Sequence, residues 1–116
     1  MEVHLASDIF EVVKTGTKTV EVRLNDEKRK KLRIGDKLIF LNKENEKERI
    51  ETVVEELKHY KNFNEMIKDY SIEEVYLPGF TKEYFLELLK RFYSDEDQKE
   101  NGVVAIRFRK IWLVGG

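Results

Sequence analysis

One short segment of the sequence gathers residue types that can do chemistry. Residues 16–24 read GTKTVEVRL and place Lys18, Glu21 and Arg23 within a valine-rich run. A lysine beside a carboxylate can hold a phosphate or a base edge, and it can act as a general base where burial lowers its pKa. The same charges can instead form a ladder of ion pairs on a wet strand, which adds little stability. Spacing alone favours the wet strand.

This segment is predicted to be a strand over residues 18–24. Its apolar positions 20, 22 and 24 alternate with Thr19, Glu21 and Arg23, so the two sets point to opposite faces. Glu21 and Arg23 are then roughly 7 Å apart at Cα, which is close enough for their side chains to pair. Lys18 projects at the entrance of the strand.

No other set of residues indicates catalysis or metal binding. The absence of cysteine excludes disulfides, thiolate nucleophiles and Cys-based metal sites. His4 and His59 are far apart in sequence and lack a second ligand at metal spacing. The serines suit helix caps or loops, and GTKT lacks the spacing of a phosphate-binding loop. We therefore expect no metal and no cofactor.

Charge is unevenly distributed along a nearly neutral chain. The formal net charge is −1, which predicts no overall attraction to nucleic acid. Residues 18–40, however, hold eight basic and four acidic residues, a net of +4, whereas residues 44–74 hold five basic and ten acidic ones, a net of −5. The basic segment can mark a face for an anionic partner or be a solvated helix surface. Its candidates for phosphate contact are Arg29, Lys31 and Arg33.

Three tyrosines lie at the ends of predicted elements, where a ring can reach a cleft. They are Tyr60, Tyr76 and Tyr93. Such a ring can stack on a base, although core packing with the hydroxyl at the surface is more frequent. Tyr60 is our candidate stacking residue.

The length of 116 residues predicts a single domain spanning residues 1–116, without repeats or an internal linker. No segment approaches the roughly 18 apolar residues of a membrane helix. The opening MEVHLASDIF lacks the basic region and long apolar core of a secretory signal. We expect a cytoplasmic protein with no membrane partner.

Strands and helices are dispersed along the chain, which predicts an α+β fold. Strongly bent strands in so short a chain favour a small barrel with helices at its ends or side. Asn62, Ser71 and Thr81 are predicted helix caps, and VVEE at residues 53–56 a bulge. The predicted strands are residues 1–5, 18–24, 37–42, 49–60 and 103–114. The predicted helices are residues 8–15 capped by Ser7, a short helix or helical turn capped by Asn25 or Asp26, residues 62–70, a short turn from 71, and residues 81–92. The last of these is predicted to turn Tyr84, Phe85, Leu88, Leu89 and Phe92 inward. Residues 43–48 and 94–102 are predicted to be polar connections.

The order of these segments resembles that of a known family. GTKTVEVR, followed by DEKRKKLRIGDKLIF, is similar to the signature of ASCH domains: a G-x-K-x-x-E-x-R element, a basic spacer, and a glycine–aspartate turn into a strand. ELKHYKNFNEMI, LPG and KRFYSDEDQKENGVVAIRF extend the resemblance over nearly the whole chain. It implies a PUA-like β-barrel of about five to six strands with flanking helices, and a cleft lined by Lys18, Glu21 and Arg23. Kinship with PUA domains implies RNA as a ligand, which is an analogy at the level of fold.

One branch of this family hydrolyses N4-acetylcytidine with a lysine, a threonine three residues later and a more distant glutamate. Lys18 matches the lysine, but Glu21 occupies the position of the threonine. Thr19 directly follows Lys18 and is expected on the other face of the strand. Glu73 and Glu74 are the candidates for the distant acid.

The sequence thus predicts a small ASCH-domain protein that binds RNA or a nucleotide-like ligand in a polar cleft. One alternative is a hydrolase of a modified nucleoside or of RNA, with Lys18 as base or nucleophile and Glu21 as its partner; the missing threonine argues against it. Another is a protein-interaction module whose charges are solvated surface. The predicted ligand-binding residues are Lys18, Glu21, Arg23, Arg29, Lys31, Arg33 and Tyr60.

Overall fold

A computed structural model of the chain describes residues 1–111. Within this range the chain forms five strands and five α-helices. The predicted continuation of the last strand through residues 112–114 lies outside the described residues. The elements are β1 (Glu2–Leu5), α1 (Ser7–Lys14), β2 (Val20–Leu24), β3 (Lys37–Asn42), β4 (Asn45–Tyr60), α2 (Phe63–Met66), α3 (Ile72–Val75), α4 (Lys82–Phe92), α5 (Asp95–Asn101) and β5 (Val103–Lys110).

All five of these strands belong to one mixed sheet with the order β1-β3-β4-β5-β2. Strand β1 pairs with β3 in parallel, and the other neighbours are antiparallel. The sheet curls into a half-barrel, which confirms the predicted α+β, PUA-like class. Because β1 and β2 are the edges, the half-barrel is open between them.

Strand β4 produces much of the curl because it pairs with β3 along its first half and with β5 along its second. Its register on β5 shifts between Val54 and Glu56, so the predicted bulge in VVEE is confirmed. The predicted loop over residues 43–48 is wrong, since β4 already begins at Asn45. The side chain of Asn42 closes this short turn by accepting a hydrogen bond from the N–H of Glu44.

Apolar side chains fill both faces of the sheet. Val104, Ile106 and Phe108 of β5 pack with β1, β3 and α1, whereas Val103 and Ala105 pack with β2 and the helices α2 to α4. The predicted burial of β5 on both faces is therefore confirmed. A strand covered on both sides is a rigid support for its neighbour β2.

Several helix boundaries differ from prediction. Ser7 does not cap α1; it is the first residue of that helix, and its hydroxyl donates to Asn42 or Glu44 across the β3–β4 turn. The helical turn predicted after Asn25 or Asp26 is present as a 3-10 turn over Arg29–Lys31, and Asp26 accepts a hydrogen bond from the Arg29 N–H at 3.0 Å. The caps at Asn62, Ser71 and Thr81 are all present. No helix within residues 1–111 is long and apolar enough to cross a membrane.

The acidic segment predicted as a connection is helix α5. Ser94 and Asp97 form a reciprocal capping box at its start, and buried Gln98 accepts a hydrogen bond from the N–H of Phe63. The prediction failed because this helix has almost no apolar face. In α4, Phe85 is buried, but Tyr84 and Phe92 are 44% and 71% exposed, so the inward face is narrower than predicted.

Gly102 provides a test of this packing. It has φ of +68°, and a Cβ built on it would meet the carbonyl oxygen of Tyr60 at 3.0 Å. Gly79 has φ of +88° with nothing within 4 Å of such a Cβ. We expect Gly79→Ala to lower the free energy of unfolding by about 1–2 kcal/mol through backbone strain alone, and Gly102→Ala to lower it further. Urea unfolding of both variants measures the difference. Equal losses would mean that the strand ending at Tyr60 shifts freely.

Candidate functional site

A cleft of about 440 Å³ lies at the opening between the two edge strands. The β1 edge contributes His4 and Leu5, and β2 contributes Glu21, Val22 and Arg23. Helix α1 lines one side, and α4 with the segment after α3 lines another. The cleft therefore occupies the place where a further strand would close the barrel.

Lys18 lies at the bottom of this cleft and is only 2% exposed. Two main-chain hydrogen bonds hold this segment in place. The N–H of Lys18 donates to Val12 O at 2.9 Å, and the N–H of Thr19 donates to Glu74 O at 3.0 Å. Strand β2 begins only at Val20. Lys18 therefore does not follow the alternation of side chains along the strand, and its side chain reaches Glu21.

The Lys18 ammonium has three oxygen partners. Nζ donates to Val20 O at 2.7 Å and Val75 O at 2.8 Å, and lies 3.0 Å from Glu21 Oε1. Three acceptors require three N–H groups, which only the charged ammonium supplies. Lys18 therefore joins β2 to the end of α3 and has no donor left for a ligand.

Glu21 is 5% exposed and bonded through both oxygens. Its Oε2 accepts from Arg23 Nε at 3.1 Å and from Nη2 at 2.8 Å. The pairing predicted from the strand spacing is thus present, but the face is buried instead of wet. The alternative of a solvent-exposed ladder of ion pairs is therefore excluded for Lys18 and Glu21.

Burial and charge oppose each other in this triplet. Burial raises the pKa of Glu21, but the Lys18 and Arg23 charges and their hydrogen bonds outweigh it and lower that pKa to about 2. Burial lowers the pKa of Lys18, and Glu21 offsets this only in part. For Arg23, burial would lower the pKa, but Glu21 raises it overall. Glu21 and Arg23 are consequently both ionised at neutral pH.

Free hydrogen-bonding groups remain at the cleft surface. The Arg23 side chain is 23% exposed, and its guanidinium has more N–H groups than the bonds to Glu21 use. Alternate residues of β2 bond to β5: Thr19 O accepts from Phe108, and the N–H of Asn25 donates to Gly102. Val22 is not one of these alternate residues, so its N–H and C=O point away from β5 and into the opening. The cleft thus presents charged donors beside a main-chain donor and acceptor.

Aromatic rings form the α4 side of the cleft. Tyr76 stacks on Phe85 at 4.9 Å between centroids and 21° between planes. Phe92 and Tyr93 also line the cleft, and Phe92 is the most exposed large apolar side chain described. Helical spacing had assigned Phe92 to the core; the signal that it is not core is its position at the last turn of α4, beside Tyr93.

The remaining predicted residues lie elsewhere. Arg29 lies in the β2–β3 connection, where it pairs with Asp26 at 3.0 Å. Lys31 and Arg33 lie in the same connection. The Tyr60 hydroxyl donates to Asp69 at 2.7 Å. None of Arg29, Lys31, Arg33 and Tyr60 is among the described residues that line the cleft. Their contact with a ligand stays a prediction.

The two candidate acids also lie outside the cleft lining. Glu74 accepts from the Ser71 N–H at 3.0 Å in a capping box and pairs with Arg107 at 3.2 Å, while Glu73 is exposed. The Ser71 N–H, followed by Arg107, lowers the pKa of Glu74 although partial burial opposes this. Within residues 1–111 no group of three His, Asp or Glu side chains could hold a metal ion.

The fold is thus a small α+β half-barrel with a charged cleft between its edge strands. The chain belongs to the ASCH domain family, whose model matches residues 3–111. It is similar to the crystal structure of hypothetical protein PH0355, with 33% identity and a TM-score of 0.78 over 95% of this chain and 97% of that one. It is also similar to the solution NMR structure of protein PF0455 from Pyrococcus furiosus, with 31% identity and a TM-score of 0.72 over 97% of this chain and 100% of that one. Comparison with curated proteins found no match.

The buried pair can be compared with an exposed pair of the same spacing. Lys18→Met leaves Glu21 with one cation and the carbonyls of Val20 and Val75 without the ammonium, so we expect the free energy of unfolding to fall by about 3–5 kcal/mol. Lys30→Met removes an exposed lysine 3.5 Å from Glu27, and we expect a loss below about 1 kcal/mol. Denaturant unfolding at pH 7 measures both. Similar small losses would contradict the buried network.

The pKa of Glu21 predicts a pH dependence. Its value of about 2 in the folded protein is below the ordinary 4.5, so the unfolded chain takes up the proton first. The contribution of this carboxylate, about 3 kcal/mol at most, is complete above pH 4.5 and is lost as pH falls toward 2. We expect the stability difference between the protein and Glu21→Gln to shrink over that range. A difference that stays constant from pH 7 to pH 3 would show that Glu21 does not titrate in this way.

Proposed function

We propose that this protein binds RNA or a nucleotide-like ligand by holding a base in the cleft. The observation that supports this most is the buried pair of Lys18 and Glu21 that holds the partly exposed Arg23 in a cleft with the exposed ring of Phe92 on its rim. Buried charges are costly and add little net stability compared with apolar residues of the same size. A guanidinium that a buried ion pair fixes at the surface of an open cleft is more simply explained by a ligand.

The free groups of the cleft suit the edge of a base. Arg23 donates to carbonyl oxygens and ring nitrogens, and its orientation is fixed because Glu21 holds Nε and Nη2. The main-chain N–H and C=O of Val22 can pair with a neighbouring acceptor and donor on the same edge. Single-stranded RNA exposes such edges, whereas a duplex hides them.

The ring of Phe92 suits the face of a base. An exposed aromatic side chain on the rim of a cleft stacks on any base, and each such contact contributes about 1–3 kcal/mol. Phe92 has no comparable role in the core, since it is 71% exposed. Stacking also explains why an apolar rim lies beside a charged interior.

The charge of the cleft suits an anion. Its lining includes the cations Lys18, Arg23 and Lys43 and the acids Asp8 and Glu21. These five charges sum to +1, which attracts the phosphates that accompany a nucleotide. A cytoplasmic location, expected from the sequence, would expose the protein to RNA.

The geometry favours binding over hydrolysis. A carboxylate with a pKa of about 2 is a weak base at neutral pH, and the Lys18 ammonium is fully engaged by three oxygens. Glu21 also replaces the threonine of the N4-acetylcytidine amidohydrolases that the sequence resembles. The interaction-module alternative required these side chains on an open convex face, whereas Lys18 and Glu21 are buried in a concave one.

Titration of single-stranded RNA and of nucleoside monophosphates at low salt tests the proposal. We expect Arg23→Ala to weaken binding by about ten- to a hundredfold, since a hydrogen bond to a charged group contributes about 1.5–3 kcal/mol. We expect Phe92→Ala to weaken it by at least about fivefold. Arg49→Ala and Ile34→Ala remove an exposed arginine and an exposed apolar side chain outside the cleft and are the controls.

Binding that is absent, or that ignores both cleft substitutions, would contradict the proposal. Phe92 is exposed, so its variant tests the cleft even where Arg23→Ala perturbs the fold. Incubation with N4-acetylcytidine and with RNA tests the hydrolase alternative in parallel. Turnover that is lost in Lys18→Met would favour that alternative over simple binding.

A further inference from the structure

A second opening lies on the other side of the Lys18 segment from the cleft. This back groove has a volume of about 340 Å³ and is lined by Val13, Gly16, Thr19, Glu55, Arg107 and Arg109, together with Phe108 and Lys110. Lys18 belongs to the lining of both openings. The cleft and the back groove are therefore separated by little more than one segment of chain.

The back groove is strongly basic. Arg107, Arg109 and Lys110 of β5 line it, and Glu55 is the one acid in its described lining. The bulge in β4 lies beside Glu55 and leaves its side chain exposed. Lys110 also donates to the carbonyl of Lys14 at 2.6 Å and so lies at the end of α1.

Both arginines keep capacity for an anion. Arg109 Nε lies 2.9 Å from Glu55, with side chains 63% and 42% exposed, and Arg107 Nη2 lies 3.2 Å from Glu74, with side chains 34% and 33% exposed. Exposed ion pairs of this kind contribute little. Each guanidinium has further N–H groups in the planar arrangement that matches phosphate oxygens.

Helix α1 lines both the cleft and the back groove. Ile9 of α1 lines the cleft and Val13 lines the back groove, one helical turn further along. Arg107 pairs with Val20, three residues before Arg23 on β2, so the two arginines are about 10 Å apart along the strand. A short stretch of single-stranded chain spans that distance. A base in the cleft would leave the adjoining phosphates within reach of the back groove.

We propose that the back groove binds phosphates of a single-stranded RNA through Arg107 and Arg109 while one base of the same strand occupies the cleft. This rests on the proposed function and deepens it: the ligand is an oligonucleotide and not a free nucleotide. The phosphate contacts then come from β5 and not from the basic segment that includes Lys31.

The test compares a single-stranded RNA hexamer with nucleoside monophosphates across a salt titration. In Arg107→Gln/Arg109→Gln we expect hexamer affinity to fall several-fold at low salt, and the slope of log K against log salt to become shallower by about 0.7 for each lost phosphate contact. Monophosphate affinity should not change. Lys68→Gln/Lys99→Gln removes the same number of charges from exposed sites outside both openings and should leave both affinities unchanged.

Arg109→Gln alone provides the test where the double variant is destabilised, because Arg109 is mostly exposed. A hexamer that binds no tighter than the monophosphate, with the same slope in every variant, would overturn the back-groove proposal and leave the cleft proposal standing. A larger effect of Lys31→Gln than of Arg109→Gln would also overturn it, because the phosphates would then lie on the basic segment. Absence of binding by either ligand would overturn both proposals.

Discussion

The contact of Lys18 with Glu21 is the interaction on which the site depends. Lys18 Nζ holds oxygens from two separate elements, Val20 and Glu21 of β2 and Val75 of α3, so the edge strand and the helix share one buried cation. The charge on Lys18 keeps Glu21 ionised against the effect of burial, and the ionised Glu21 fixes the Arg23 guanidinium. The order of dependence therefore runs from Lys18 through Glu21 to Arg23, and only Arg23 offers donors to the cleft. Lys18 accordingly positions the other two and does not need to touch a ligand.

This network is placed by an incomplete barrel. Open edge strands invite pairing with another chain unless something covers them. Here α3 and α5 contact β2 and α1 packs against β3, while the cleft occupies the interval between β2 and β1. The pairing of β2 with β5, whose apolar side chains are buried on both faces, gives the exposed edge a rigid support, so Val22 can present its main chain without the strand moving. The opening that leaves the sheet unclosed is thus the feature that makes a site available.

Local pattern predicted much of this fold but little of its burial. Alternation in GTKTVEVRL was enough to predict β2 and the pairing of Glu21 with Arg23. The alternation could not predict that this face is buried, because Val75, whose carbonyl accepts from Lys18, lies 57 positions from Lys18 in the sequence. Helix α5 was missed because it lacks an apolar stripe, and Phe92 was assigned to the core because spacing cannot say where a helix leaves its packing partner. Arg29, Lys31 and Arg33 are close to the motif in sequence, yet the connection to β3 carries them away from the cleft. Arg107 and Arg109 are remote in sequence and lie beside Lys18 through strand pairing.

The substitution of glutamate for threonine at position 21, relative to the hydrolase branch that the sequence resembles, has a physical consequence. A threonine hydroxyl beside Lys18 would leave the ammonium without a buried counter-charge, and burial would then lower the lysine pKa toward the range of a general base. Glu21 supplies that counter-charge, which raises the Lys18 pKa relative to such a site, and it also binds Arg23. The same residue therefore weakens the base that hydrolysis would need and fixes a donor that recognition can use. Of the two roles open to this cleft, the residue at position 21 favours recognition.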